Sequence, residues 1–476
     1  MKLICAINFY VFAAVLAAGS LAGDVYVNNQ NGDDSRKGGS AAQSVRTLKR
    51  AVKLCSAGTT LHIADTGRIY YESLNFGARG GTPAAPIIVE GNRAVLSGLN
   101  PLPSGKWQNK GKGLYFFPSD VRKKMPAARP YLFLNGKVVP RQKTPSEIKT
   151  EESCWNDEGV YFRVAVGKNI TDYELEGTGR ISGLILSGAS YIEVRNLVCE
   201  RFANDGFNVH GCCQGLVFRN ITGRWNGDDG FSVHEDVGAT VLGGYFHHND
   251  YGIQDINISR SSFYGVLVEN NRRAGADFRG GVHVLYDSVI RNNAGPQIRL
   301  ARDSTRHIRI SEGPLTDGVL ILRNTLTIGG KYGVAVKAGR ADISNCSFVE
   351  AEIGAYIGTS ATAVMVGNAI YGCKKQELIL KSGTGSRDAN LYAPGRISWQ
   401  KKVYEPAAFD TYQADSEQDA GSVVISTSEL PRTESFRLNG KRLSYGKHHI
   451  RPGIKKELSF PLWNSCPQHK KKPRSK

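Results

Sequence analysis

Ile192-Glu193-Val194-Arg195-Asn196-Leu197 is answered 24 residues later by Leu216-Val217-Phe218-Arg219-Asn220-Ile221. A second pair keeps the same step, Asp205-Gly206-Phe207-Asn208-Val209-His210 and then Asp229-Gly230-Phe231-Ser232-Val233-His234. In both, apolar and polar residues alternate, the period of a strand with one buried face. The glycine-led slot returns as Tyr251-Gly252-Ile253, Gly275-Ala276-Asp277-Phe278-Arg279, Gly295-Pro296-Gln297-Ile298-Arg299, Gly333-Val334-Ala335-Val336-Lys337 and Gly354-Ala355-Tyr356-Ile357. A repeat of roughly 20–24 residues holding several short strands predicts a solenoid whose coils bury their apolar faces on one another. Leucine-rich repeats share the period but require a leucine/asparagine signature that is missing here. The expected fold class is all-β: a right-handed parallel β-helix with an N-terminal helical cap and a small inserted antiparallel β module.

The segments on either side complete this plan. Residues 1–22, with Lys2 before an apolar run and Ser20-Leu21-Ala22-Gly23 after it, read as a signal peptide. That run is too short for a comfortable membrane span, and no later stretch is long enough. Residues 23–100 are expected to form the N-terminal cap and first coils, with a short amphipathic helix over Arg46–Val52 and strands at Gly58–Ile63 and Pro86–Gly91. Residues 101–178 break the period with aromatic runs around Trp107, Tyr115-Phe116, Leu132-Phe133-Leu134 and Tyr161-Phe162, and predict the inserted module. The main β-helix with its groove is placed at 179–380. Residues 381–468 read as C-terminal coils and cap, with a hairpin at Phe436–Lys441, and 469–476 as a disordered basic tail.

The formal charge of +18 narrows the partners. Lys470, Lys471, Lys472, Arg474 and Lys476 supply five of those charges, yet the body stays basic without them. For an exported chain the natural counterpart is a uronate-bearing or sulfated polysaccharide. No nucleic-acid motif is present, so nucleic acid is not expected, nor is a membrane span. The chain is expected to act as a monomer that is secreted, periplasmic or at the cell surface. Nine cysteines show no CxxC or Cys/His spacing for zinc, leaving disulfides or buried free thiols as the alternatives.

In a β-helix the same slot in successive coils stacks about 4.8 Å apart, so sequence period becomes spatial adjacency. Four residues after the slot glycine stand His210, His234, Arg279, Arg299 and Lys337, with Asn257 taking that place in the Gly252 coil. Two after it stand Asn208, Ser232, Gln254, Asp277 and Gln297. Outward columns of imidazole, guanidinium, carboxamide and carboxylate can bind sugar hydroxyls and anions. Asn204-Asp205 and Asn226-Gly227-Asp228-Asp229 form the densest acidic cluster, and stacking should set Asp205 against Asp229 with Asp228 beside them. Three readings of it stand: acid/base catalysis by carboxylates forced to share protons, turn closure by side-chain hydrogen bonds, or a calcium site. Glu235, Asp236 and Asp255 are alternative acids. Otherwise no cofactor is expected.

Val25-Tyr26-Val27, Gly32-Asp33-Asp34-Ser35, Gly58-Thr59-Thr60 and Gly80-Gly81-Thr82-Pro83 together resemble the opening of bacterial exported, pectate-lyase-like β-helix proteins acting on polysaccharides. The insertion, with Leu132-Phe133-Leu134-Asn135-Gly136-Lys137 and Arg141, is similar to that of xylosidase- and fucosidase-type β-helix hydrolases. Locally, Asn204-Asp205-Gly206-Phe207 and Gly227-Asp228-Asp229 resemble the acidic motifs of polygalacturonases. The resemblance implies that Asp205, Asp228 and Asp229 are the acid and base of an inverting hydrolysis. That family's Gly-His-Gly is absent, and its Arg-x-Lys survives only as Ala335-x-Lys337. The expected function is a glycoside hydrolase on an anionic polysaccharide, with Asp205, Asp228 and Asp229 catalytic. His210, His234, Asp255, Asp277, Arg279, Arg299 and Lys337 would line the subsites. The alternatives are a polysaccharide lyase using Arg279 or Arg299 as base and a non-catalytic glycan-binding protein.

Overall fold

A computed structural model describes residues 23–303, 317–381 and 384–426, with the backbone of Ser435–Leu438, Lys441–Ser444 and Glu457–Leu458 beyond them. The expected leader at 1–22 and tail at 469–476 lie outside the described residues. The chain winds into a right-handed parallel β-helix. Three ladders of parallel strands run its length. The first carries the glycine-led slot, from Leu74–Gly77 through Leu184–Ser187, Phe207–His210, Asp229–Val233 and Tyr251–Asp255 to Ile397–Trp399. The second begins at Val25–Val27 and the third at Val95–Ser97. Pairing continues past residue 380, where Gly385–Asp388 and Leu391–Ala393 add another coil.

The alternation seen in sequence sorts side chains as expected. Phe207, Phe231, Phe263 and Phe278 are buried, and Phe231 meets Phe207 at 6.1 Å and Phe263 at 5.8 Å between ring centroids. Burying each such ring stabilises the fold by roughly 1.5–3 kcal/mol. The slot glycines recur because neighbouring coils leave no room for a Cβ. One on Gly206 would lie 2.9 Å from the Gly230 carbonyl oxygen, and one on Gly230 2.7 Å from that of Gly252. Where each coil leaves the second ladder, Asn196, Asn220, Asn324 and Asn345 hold left-handed φ between 46° and 53°, which asparagine tolerates better than most residues.

One register differs from the sequence expectation. Asp277 pairs with Arg299 and Ala276 with Ile298, so the strand Pro296–Ala301 is offset by two from alignment on its glycine. Gln297 instead lies against Gly275 at the turn, buried, its side chain accepting from and donating to Asn293, and does not join the outward column. A slip of two preserves which residues face in and out, so the pattern could not reveal it.

A helix over Leu48–Leu54 buries Leu48, Ala51 and Val52 beside the first strands, its N-terminus capped by the Thr47 hydroxyl accepting from Arg50 N–H. The segment between the early coils folds into two antiparallel sheets. Leu132–Leu134 pairs with Leu175–Thr178 in one, and Leu114–Pro118 with Gly159–Arg163 in the other, around Trp107, Trp155 and Phe162. At the far end Ser435–Leu438 and Lys441–Ser444 form the expected antiparallel hairpin. Among the described residues the cysteines are unpaired, and Cys55, Cys154, Cys199, Cys213 and Cys346 are buried thiols.

Candidate active site

The turn from the third ladder to the first carries the acidic residues, and an interior row of asparagines holds its shape. Asn249 Oδ1 accepts from the backbone N–H and side-chain amide of Asn226, each at 3.0 Å. Asn271 does the same for Asn249, and Asn293 for Asn271. These amides satisfy turn N–H groups that would otherwise be buried without partners. Asn226, Asn249, Asn271 and Asn293 recur at steps of 22 or 23, a signal present in the sequence but not read there.

On that frame Asp205, Asp228 and Asp229 each bring a carboxylate oxygen within 4.8 Å of the others. Asp205 Oδ1 accepts from Asp229 N–H at 3.1 Å, and its Oδ2 accepts from the amides of Asn204 at 2.6 Å and Asn208 at 2.5 Å. Asp205 and Asp229 are buried, whereas the Asp228 side chain is 27% exposed and is the member that faces solvent. Burial first, and then the Asp228 charge, push the Asp205 carboxyl up to about 8, against the opposing pull of its N–H donors. Burial and the charges of Asp228 and Asp205 also raise Asp229 well above the carboxylate range. The set thus retains a proton at neutral pH.

Asp229 continues into a relay. Its Oδ2 accepts from the Ser232 hydroxyl at 2.7 Å, and Ser232 Oγ meets His234 Nε2 at 2.8 Å. A hydroxyl has one proton, so Ser232 donating to Asp229 must accept from His234 Nε2–H. The other Asp229 oxygen, Oδ1, is buried without a hydrogen-bond partner. His210 sits one coil before His234 and contacts Ser187 Oγ at 3.3 Å through Nδ1.

The remaining expected site residues divide. Asp277 is buried under its own outward column, where Arg279 and Arg299 both donate to it. Arg299 therefore stacks on Asp277, not on Arg279 as the glycine alignment implied. Lys337 is exposed beside Val336 on the same ladder. Asp255 does not line the groove. It pairs with the interior positions of Val233 and Phe278, is fully buried, and contacts His283 Nδ1 at 3.2 Å and the Ser259 hydroxyl. A buried carboxylate needs such partners, and His283 packs flat against Phe278 at 4.7 Å. Asn257 takes a left-handed turn position with φ 69° and its amide bonds Asp303, so it too leaves the column. Asp236 pairs with Arg260 on the second ladder, away from the acidic cluster.

Residues that sequence reasoning missed surround Asp228. Arg129, from the inserted segment, reaches Asp228 Oδ1 at 3.3 Å and also pairs with Asp250. Asp250 further accepts from Arg272 Nε at 2.8 Å and faces Arg273 at 3.3 Å. Arg272 lies over the Tyr131 ring at 5.0 Å, and Arg273 over Tyr251 at 5.6 Å. Asp250-Tyr251-Gly252 follows Asp228-Asp229-Gly230 by one coil, and that spacing could have flagged Asp250. Arg129 had no signal, since 99 residues separate it from Asp228.

Calcium takes six to eight oxygen ligands. Here both Asp205 oxygens already accept N–H donors, and the Arg129 guanidinium stands against Asp228.

A parallel β-helix bearing a three-carboxylate cluster across two adjacent coils is the class these features define. A sequence profile described as "Right handed beta helix region" matches residues 182–312. No curated protein matches the sequence. Among solved structures, XylC with xylose is similar over 84% of this chain and 82% of its own, at 10% identity and a TM-score of 0.52. A structure described as a glycoside hydrolase is similar over 80% of this chain and 95% of its own, at 10% identity and a TM-score of 0.53. The likeness at that identity is one of fold.

Proposed function

We propose that this chain is a secreted glycoside hydrolase acting on an anionic polysaccharide, with Asp205, Asp228 and Asp229 as its acid/base set. The observation that carries the reading is the meeting of three carboxylates within 4.8 Å, one facing solvent and two buried and raised. Hydrolysis of a glycosidic bond needs a protonated carboxyl for the leaving oxygen and an ionised one to activate water or attack. Asp228, the accessible member, meets the glycan, and Asp205 and Asp229 hold the proton behind it. His210, His234, Arg279 and Arg299 line the adjoining surface, and Lys337 lies further along it. The fold shared with XylC and with the glycoside hydrolase supports a sugar substrate. A lyase base must accept a proton, and Arg279 and Arg299 are both tied to buried Asp277, which disfavours either for that task.

Asp228→Asn in folded protein is expected to lower release of reducing ends from polygalacturonate or a sulfated glycan by at least about a hundredfold. Parental rates in that variant would sink the assignment. A product absorbing in the ultraviolet would mean elimination instead of hydrolysis. Activity lost to a chelator and restored by calcium would return the cation reading.

A further inference from the structure

We infer that Arg129 is a positioning residue through which the inserted segment holds Asp228 aimed at the groove. The inference rests on the acid/base reading of Asp228 and adds a residue from outside the solenoid. Three contacts fix Arg129 there. Its backbone N–H donates to Ala203 O at 2.7 Å, two residues before Asp205. Its carbonyl packs on the turn below, where a Cβ on Gly227 would lie 2.6 Å away. Its guanidinium then spans Asp228 and Asp250.

Among the described residues, the acids and arginines set against Asp228 come from three sides. Asp205 and Asp229 crowd it from one side. Arg129 opposes them directly, and Arg272 and Arg273 act from the next coil, with Asp250 between them. Tyr131, two residues after Arg129, lies under Arg272, whose Nη2 also donates to the Asn226 and Gly227 carbonyls at 3.1 and 3.3 Å. The turn carrying Asp228 is therefore clasped by the insertion on one side and by Arg272 on the other. A guanidinium held against one carboxylate of a crowded set fixes where that carboxylate lies through a charge-assisted hydrogen bond. Arg129 thereby fixes the place of the accessible aspartate among the three.

The test uses the full chain with Arg129→Gln and Arg129→Lys, each alone and combined with Asp228→Asn. Melting temperatures at pH 4 and pH 7 need no substrate. Arg129→Gln should melt about 2–4 °C below the parent at pH 7 and near it at pH 4, and Asp228→Asn should remove much of that difference. On polygalacturonate, Arg129→Gln should lower kcat about tenfold or more with little change in KM. Arg129→Lys should recover most of the loss. A melting deficit equal at both pH values and indifferent to Asp228→Asn would overturn the inference. Parental activity in Asp228→Asn with the melting coupling intact would instead refute the catalytic reading and leave the clasp standing.

Discussion

Asp205 lies beneath N–H donors that favour its anion, yet burial and a neighbouring charge outweigh them and raise it to about 8. An unfolded aspartate titrates near 4, so between about pH 4 and 8 the folded chain binds a proton there that the unfolded chain has released. The Asp205 contribution to stability is thus complete below about pH 4 and is lost as pH rises through about 8. The loss across that window is of order several kcal/mol. The expected outcome is a melting temperature that falls from pH 5 to pH 8 in the parent and falls less in Asp205→Asn. An equal slope in both would show that Asp205 is not the buried proton holder. The same proton serves the proposed chemistry, so activity should fall on the alkaline side over the same range.

The coil-to-coil turn is the element that organises the site, and its stability depends on the asparagine row more than on any surface charge. Asn249 accepts two hydrogen bonds from Asn226 and donates to Gly223 O at 3.0 Å and to Asn271 Oδ1 at 3.2 Å, all within the interior. Truncation to alanine strands several buried polar groups at once, at a cost of about 2–4 kcal/mol. Asn249→Ala should therefore lower the urea midpoint clearly. Glu352→Ala, which removes an exposed pair with Lys375, should leave it almost unchanged. Comparable shifts in the two variants would refute this ranking. Because Asn226 precedes Asp228 by two residues, Asn249→Ala should also depress activity without touching a carboxylate.

At the scale of the whole molecule, the proposed anionic substrate gives the formal charge of +18 a role in capture through its long-range field. Many cations are already paired along the ladders, as Arg224 is with Glu200 and Arg291 with Glu269. The remaining excess is screened by salt, with a Debye length near 10 Å at about 0.1 M. Raising salt to about 0.5 M should increase KM for polygalacturonate several-fold and leave that for a neutral xylan unchanged. Equal KM shifts for both glycans would show that the basic charge plays no part in substrate capture.

Read alone, the sequence determined the coil, the interior phenylalanines, the insertion and the stacking of Asp205 on Asp229, because a period near 24 translates directly into neighbouring strands. It could have disclosed the asparagine row and Asp250 by the same arithmetic. It could not distinguish a two-residue slip at Arg299, since alternation survives such a slip. Nor could it show Asp255 turned inward, because only the approach of His283 and Ser259 makes that burial tolerable. The acidic cluster was legible as a stack of residues. Which member faces solvent, which are buried, and which cation meets them depended on Arg129 arriving from a segment about a hundred residues away. Local pattern encodes the repeat, whereas charge at a site is the sum of everything packed around it, and that sum exists only in the folded chain.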